Sequence, residues 1–556
     1  MSTQNVLPPT DAAPAFQAWN EGVPEGATYF HDPMHFPFPL APLTMNLHST
    51  AWIDGAVRGH QEIGIPLRGW HVVGRNHYRY EAQEMAEFTS EEEAKQAGAA
   101  IEAAMRPEMG RLMERWDNEH LPAIRALSDR LAGLSDKVAA SNNVPALIDD
   151  AVAAFAELWR IHFTIVIPMS VAMQVFDEFH AEVFGGGEEG GHPLLAGQLN
   201  ESVKASLGLS DLAQRAHSLG VAGIILENEP HDALGALATT VSGRAFLEDL
   251  AAYLVSYGLR QDLFDLATPT WREQPAYAMT NVRNYLRTGL DARAHHGAIE
   301  ARAREARERA RADLVQYPQA VRDQFEAMLA MGEAASFLQE EHNFHIDQVG
   351  MAWTRLFFVE VGKRLVDAAA IDAADDVFML SLEEIRAALQ EPLSLRGTVN
   401  IRRHELAAAQ LLTPPPFIGT PPTAPPSTAS PGERSMVRFF GMATPVSDDP
   451  DRVVGNPGAR GTATGLARVV RTLDEAESLQ PGEILVTVTT MPPWSPLFAV
   501  AAGVVTETGG PLSHCAIVAR EYGIPAVVGA PEATRRIATG QRITIDGSTG
   551  IVELHG

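Results

Sequence analysis

His514 stands behind two glycines and a serine in the stretch TETGGPLSHCAIVAREYGIPAVVG, residues 506–529. The β-branched run from Gly503 to Thr508 predicts a buried strand. Gly509, Gly510 and Pro511 break it, and Ser513 is placed to cap a short helix from His514 to about Tyr522. The histidine then falls in the first turn of a helix, where unpaired backbone N–H groups and the positive end of the dipole favour an anion such as phosphate. An imidazole there can act as a nucleophile and hold a phosphoryl group. The same residue also reads as a polar cap with no chemistry, and position alone does not separate the two.

A second polar cluster is Glu340-Glu-His-Asn-Phe-His-Ile-Asp-Gln348. On a helix, His342 and His345 share a face, with Glu341 one turn before His345. Three readings stand side by side: a hydrogen-bonded helix face, a set of acceptor-binding or general-base residues (Glu341, His342, His345), and a metal site. The spacing is not HExxH and no third ligand is evident, so no metal is expected.

These residues must be held by separate domains. The segment Thr413–Gly432, TPPPFIGTPPTAPPSTASPG, has eight prolines in twenty residues and predicts an extended, semi-rigid tether. Residues 1–410 before it are mostly helical by periodicity, notably over 90–140, 143–184 and 196–260. The run Glu300–Arg311 reads as a solvated helix face, with Glu300–Arg304 and Glu305–Arg309 at i,i+4. The first 80 residues are less regular. Their aromatics and prolines, as in residues 29–42, predict ordered loops that either line an apolar pocket or anchor themselves in the core. Past the tether (residues 411–435), short β-branched strands such as 484–489 and 543–546 alternate with glycine turns and helices. The fold class expected is multidomain: a mostly α-helical domain, then a compact α/β domain over 436–556.

With 556 residues the chain has room for two to four domains. Its formal net charge of −27 argues against nucleic acid or an anionic membrane as partner. Cys515 is the only cysteine, which excludes an intramolecular disulfide and fits a reducing cytoplasm. The first residues carry no signal-peptide pattern, and the apolar run 497–505 is too short to cross a bilayer. A cytoplasmic protein away from the membrane is expected.

The stretch GGPLSHCAIVAREYGIPAVVG resembles the phosphohistidine signature of the swivelling, or mobile, domain of PEP-utilising enzymes, among them phosphoenolpyruvate synthase, pyruvate phosphate dikinase and rifampicin phosphotransferase. The likeness extends through Gly455–Gly465, Pro481–Val486 and Gly540–Gly550. Leu194–Asn200, Tyr257–Arg260, Pro269–Pro275 and Asp375–Glu384 more diffusely resemble the acceptor-binding domain of the rifampicin-phosphotransferase-like group. Leu259 stands where that group often has histidine, and the 340–348 helix lacks the basic residues associated with antibiotic acceptors.

The resemblance implies that His514 carries a phosphoryl group at Nε2, with Gly509, Gly510, Ser513 and Thr508 binding phosphate. Asp546 is assigned to a turn. No ATP-grasp domain, Walker motif or TIM-barrel pattern is read in this chain. A separate ATP-grasp partner that binds Mg–ATP is therefore expected, with no cofactor bound here and ATP ending as AMP and phosphate. By the same resemblance to split phenol-activating synthases, the acceptor is expected to be a small aromatic hydroxyl, for which a modest base suffices. Two alternatives remain: a non-catalytic phosphohistidine carrier or regulatory protein, and a pyruvate-phosphorylating synthase subunit.

Overall fold

The computed structural model describes residues 16–86, 90–185, 190–421, 446–490 and 492–555, together with Arg434, Arg438 and Gly441. Near the N-terminus it departs from the loop expectation. Strands β1 (Thr28–His31), β2 (Leu67–Arg75) and β3 (Tyr78–Met85) form an antiparallel sheet. Asn76 and His77 turn β2 into β3 with φ of 50° and 67°, the two positive values that a tight hairpin of matching twist requires. The missed signal is the alternation in Leu67–Val72, where Leu67, Trp70 and Val72 are buried.

The proline-rich segment also differs from a free tether at its start. Phe417–Gly419 forms β4, pairs antiparallel with β1 and completes the order β2-β3-β1-β4. Ile418 is buried against Tyr78 and Tyr80, and the Tyr80 hydroxyl donates to the Pro415 carbonyl. The chain is thus fixed to the N-terminal sheet as far as Gly419. Residues 422–433 of the expected tether lie outside the described residues.

The helical lobe is built on α1 (Val144–Phe184), which starts where Asn143 accepts a hydrogen bond from Ala146 N–H and ends at Gly185, φ 82°. By length and composition α1 could cross a bilayer. Its most apolar window is 61% buried within the protein, so it is a core helix here. Helix α2 (Glu201–Ser218) is capped by Asn200, and α3 (Ala276–Thr288) stops at left-handed Gly289. Helix α4 (Gln319–His342) packs along α1 and runs on through a π-helical stretch, Asn343–Gly350, into α5 (Met351–Asp367).

One buried arginine ties the lobe together. Arg355 on α5, 1% exposed, donates to both carboxylate oxygens of Glu273, to Asp375 and to the Leu266 carbonyl. It thereby joins two of the segments singled out in the sequence, Pro269–Pro275 and Asp375–Glu384.

The C-terminal domain holds one eight-stranded sheet, order β5-β12-β11-β7-β8-β9-β10-β6. Its strands are β5 (Arg452–Val454), β6 (Asn456–Ala459), β7 (Thr462–Val469), β8 (Ile484–Thr487), β9 (Gly503–Thr506), β10 (Ala526–Val528), β11 (Arg542–Asp546) and β12 (Ile551–Leu554). Strands β7 to β10 are parallel, and β8 and β9 are buried throughout, as their unbroken apolar sequences require. Helix α6 (His514–Tyr522) crosses between β9 and β10. Asp546 accepts from Ser548 N–H in the turn to β12.

This domain sits against the helical lobe. Helix α3 packs on Pro492–Ala499, and Trp494, Leu497 and Phe498 share an apolar cluster with Val282, Tyr285 and Leu286.

Replacing Arg355 by Met should cost on the order of 3 kcal/mol, because it strands Glu273 without its buried partner. Urea unfolding of the helical lobe measures this directly. A loss under about 1 kcal/mol would show that Arg355 does not tie these segments.

Candidate active site

The strand–turn–helix around His514 forms where the sequence places it. Gly509 takes φ 97°, and a Cβ there would meet the Ser513 side chain at 2.8 Å. A Cβ on Gly510 would lie 2.2 Å from the Arg438 carbonyl oxygen. Each glycine is thus required by space, the first also by conformation. Leu512 N–H donates to that same carbonyl. Arg520, in the second turn of α6, donates to the carbonyls of Gly458 and Pro511 and so fixes the helix to its own turn.

Ser513 occupies the N-cap position but makes no side-chain capping bond, unlike the cap the sequence predicts. Its hydroxyl is buried and makes no hydrogen bond. Thr508 is engaged differently: its hydroxyl donates to the Val488 carbonyl, and its own carbonyl accepts from Gly529 N–H. Of these two hydroxyls, Ser513 has the unused donor beside His514.

Across the lobe boundary, His514 meets the end of α4. Its Nδ1 lies 3.4 Å from Glu340 Oε1, and both side chains are mostly buried. Nε2 of His514 is buried and makes no hydrogen bond. Burial acts to raise the Glu340 carboxyl, but the hydrogen bond and charge of His514, with Ser202 and His342 behind them, bring it down to about 2. Glu340 is therefore a carboxylate, and Nδ1–H of His514 donates to it. The remaining ring nitrogen, Nε2, is the one left without a partner.

Two more charges surround this contact. Arg260 is 2% exposed, and its Nε and Nη2 make no hydrogen bond. Its guanidinium lies 5.4 Å from the Phe344 ring centre. Burial lowers its pKa, while Tyr253 and Glu340 act to raise it. Glu521 on α6 is pushed up to about 7, first by burial and then by the charge of Glu340. Glu340 stood in the polar cluster and Arg260 in the Tyr257–Arg260 segment, yet neither was singled out, since nothing local shows which helix face meets a distant domain.

The three expected acceptor residues separate. Glu341 accepts from Glu201 N–H at the start of α2, and its other oxygen lies 3.7 Å from His345 Nε2. His345 packs beside Trp116 and Phe344. His342 lies elsewhere, next to His162 of α1 and Asp347. Burial lowers the His342 pKa, which keeps that ring neutral. The N-terminal aromatics Phe36, Trp52 and Trp70 are core residues. A cavity of about 260 Å³ opens instead between the lobes, lined in part by Met173, Asp177, His192, Arg438, Leu512 and Arg520.

Comparison with known proteins agrees with this geometry. Residues 479–550 match the mobile domain of PEP-utilising enzymes, and residues 162–340 match the rifampicin phosphotransferase fourth domain. Chondramide synthase cmdD of Chondromyces crocatus is 33% identical over 98% of this chain and 14% of its own length. YvkC of Bacillus subtilis, an uncharacterized phosphotransferase, is 29% identical over 72% of this chain and 49% of its own. Rifampicin phosphotransferase of Streptomyces sviceus is 33% identical over 59% and 36%. The chain spans half or less of the length of these relatives. It carries the mobile domain of the PEP-utilising enzymes joined to the fourth domain of the rifampicin phosphotransferases.

Proposed function

We propose that this chain is a phosphohistidine-type phosphotransferase that carries a phosphoryl group on His514 Nε2 to a hydroxyl acceptor held by the helical lobe. The observation that carries the reading is the His514–Glu340 contact. A carboxylate that accepts a hydrogen bond from Nδ1–H holds the proton on that nitrogen and leaves Nε2 as the nucleophile, the logic of a base oriented by a third group. In the forward step Nε2 attacks the β-phosphorus of ATP and AMP departs with the bonding electrons; water then takes the γ-phosphoryl group from the pyrophosphorylated ring as phosphate, which leaves phospho-His514. In transfer, the acceptor oxygen attacks the phosphorus, the P–Nε2 bond breaks, and its electron pair returns to the ring. Glu340 balances the charge that the phosphorylated ring bears, while Ser513 and Arg260 offer unpaired donors for the phosphoryl oxygens.

The donor in this reading is Mg–ATP bound by a separate ATP-grasp partner, and ATP ends as AMP and phosphate. The C-terminal domain swivels between that partner and the docked position on α4. The acceptor is a small hydroxyl compound, with a phenol first because its proton is easily removed. Glu341, His342 and His345 are the candidate bases. Glu341 and His345 lie together, so they are the better placed pair for proton removal.

With purified partner, labelled Mg–ATP and a panel of phenols, the protein should form an acid-labile phosphoenzyme, AMP and aryl phosphate. His514→Ala should abolish all three, and normal turnover by that variant would overturn the scheme. Glu340→Gln should keep the fold and lower acceptor transfer by about 10- to 100-fold, the scale typical for loss of an orienting partner. Robust self-labelling without a partner would remove the two-chain form of the proposal.

Docking should depend on pH. Glu521 is raised above its ordinary value of 4.5 by burial and by Glu340 in the docked structure. The docked form therefore holds the proton more tightly. Its stabilisation is complete below about pH 4.5 and is lost as pH rises through 7. Distance measurements between labelled lobes should show more undocked protein at pH 8 than at pH 6, and Glu521→Gln should flatten the profile. A profile unchanged by that variant would show that Glu521 does not set the docking equilibrium.

A further inference from the structure

Away from His514, three side chains from distant parts of the chain converge inside the helical lobe. They are His162 on α1, His342 at the end of α4 and Asp347 in the π-helical stretch. One nitrogen or oxygen from each lies within 4.8 Å of the others. His162 Nδ1 is 2.9 Å from Asp347 Oδ1, and His342 Nε2 is 3.9 Å from Asp347 Oδ2. All three are largely buried, Asp347 and His342 at 6–7% side-chain exposure.

The π-helical turn creates this grouping. His342 and Asp347 are five residues apart, a spacing that turns them away from each other on an α-helix. The i→i+5 register of a π turn stacks residues five apart, and such turns occur often at functional sites. Asn343 and Gln348 show the same register, with Gln348 Nε2 donating to Asn343 Oδ1.

Each ring and carboxylate is oriented from behind. His342 Nδ1 lies 2.7 Å from the Leu338 carbonyl, so its proton sits there and Nε2 turns a lone pair toward the group. Asn343 Nδ2 donates to Asp347 Oδ2. Outer partners of this kind are what fix metal-binding histidines and carboxylates. His162 Nδ1 and Asp347 Oδ1 are both buried and make no hydrogen bond, although they are close; the ring nitrogen does not aim at the oxygen. They face each other at ion-pair distance without a well-aligned hydrogen bond, and a cation between them would engage both. With bonds of about 2.0–2.1 Å, a tetrahedral ion holds its ligand atoms about 3.3 Å apart; His162 Nδ1 and Asp347 Oδ1 are 2.9 Å apart, and one ligand atom from each of the three residues lies within 4.8 Å of the others.

We propose that His162, His342 and Asp347 bind a divalent transition-metal ion of the zinc, iron(II) or cobalt(II) class. Two imidazoles and one carboxylate suit that class rather than magnesium or calcium, which take oxygen donors, and three protein ligands leave coordination positions open. Of these three only His342 was singled out from the sequence; Asp347 lies in the same polar cluster, and His162 comes from α1, 180 residues before His342. The site stands whether or not His514 carries phosphate.

The test uses the full chain stripped with a chelator and then titrated with ZnCl2 or CoCl2 alone. Desalted wild type should retain about one metal ion per chain, show visible cobalt(II) absorption bands and melt at a higher temperature with metal. Asp347→Asn and His162→Gln should each weaken binding by at least 10-fold and remove the metal-dependent melting shift. Circular dichroism without metal checks that the variants fold. Wild type that retains less than about 0.2 ion per chain and shows no shift overturns the proposal by itself, whatever the variants do. Undiminished binding by folded Asp347→Asn overturns it as well, and would leave the three residues as a hydrogen-bonded group.

Discussion

An imidazole on one lobe faces a carboxylate on the other, and the architecture serves to hold that meeting. At 3.4 Å the His514–Glu340 contact is a long hydrogen bond. Its geometry comes from elsewhere. On one side, α4 is held straight against α1 and continues into α5, where Arg355 gathers Glu273, Asp375 and the Leu266 carbonyl. On the other, α6 is fixed by two glycines without room for a side chain and by Arg520, which bonds the helix to its own turn. Rigid supports on both lobes let one weak polar contact select a tautomer.

The docked state combines opposite tendencies. Trp494, Leu497 and Phe498 bury apolar surface against α3, which favours contact regardless of charge. Glu340 and Glu521 oppose each other at the same boundary, which favours separation when both are ionised. The contact thus combines apolar attraction with a charge repulsion that depends on the ionisation of Glu521. Strand β4 fixes the chain to the N-terminal sheet as far as Gly419.

Much of this was legible from residue types. The β9–turn–α6 unit followed from its β-branched run, its two glycines and the start at His514, and the long helices followed from three- and four-residue spacing. The N-terminal sheet was not, because prolines and aromatics there hide a hairpin whose turn, Asn76–His77, has no glycine. In the 340–348 cluster the pairing of Glu341 with His345 is as spacing predicts, whereas His342 does not share their face. Local periodicity assumes an α-helix, and the π turn shifts every residue after His342. Glu340, the residue that meets His514, gained its role from a contact 174 positions away, which no local pattern encodes.

That shift explains why one polar segment faces in several directions. Glu340 points toward the mobile domain, Glu341 caps α2, His342 turns inward to His162, and His345 stacks beside Trp116. A regular helix would align Glu341 with His345 and leave Asp347 opposed to His342. The π turn keeps the first pairing within 3.7 Å and adds the second. Among the buried polar atoms without hydrogen bonds, one group lies around His514, as Ser513 Oγ and Glu340 Oε2, and another around Asp347, as its own Oδ1 and His162 Nδ1. Since buried polar atoms are nearly always satisfied, both clusters mark points where the fold withholds bonds from itself, and the single helix that carries Glu340 and His342 connects them.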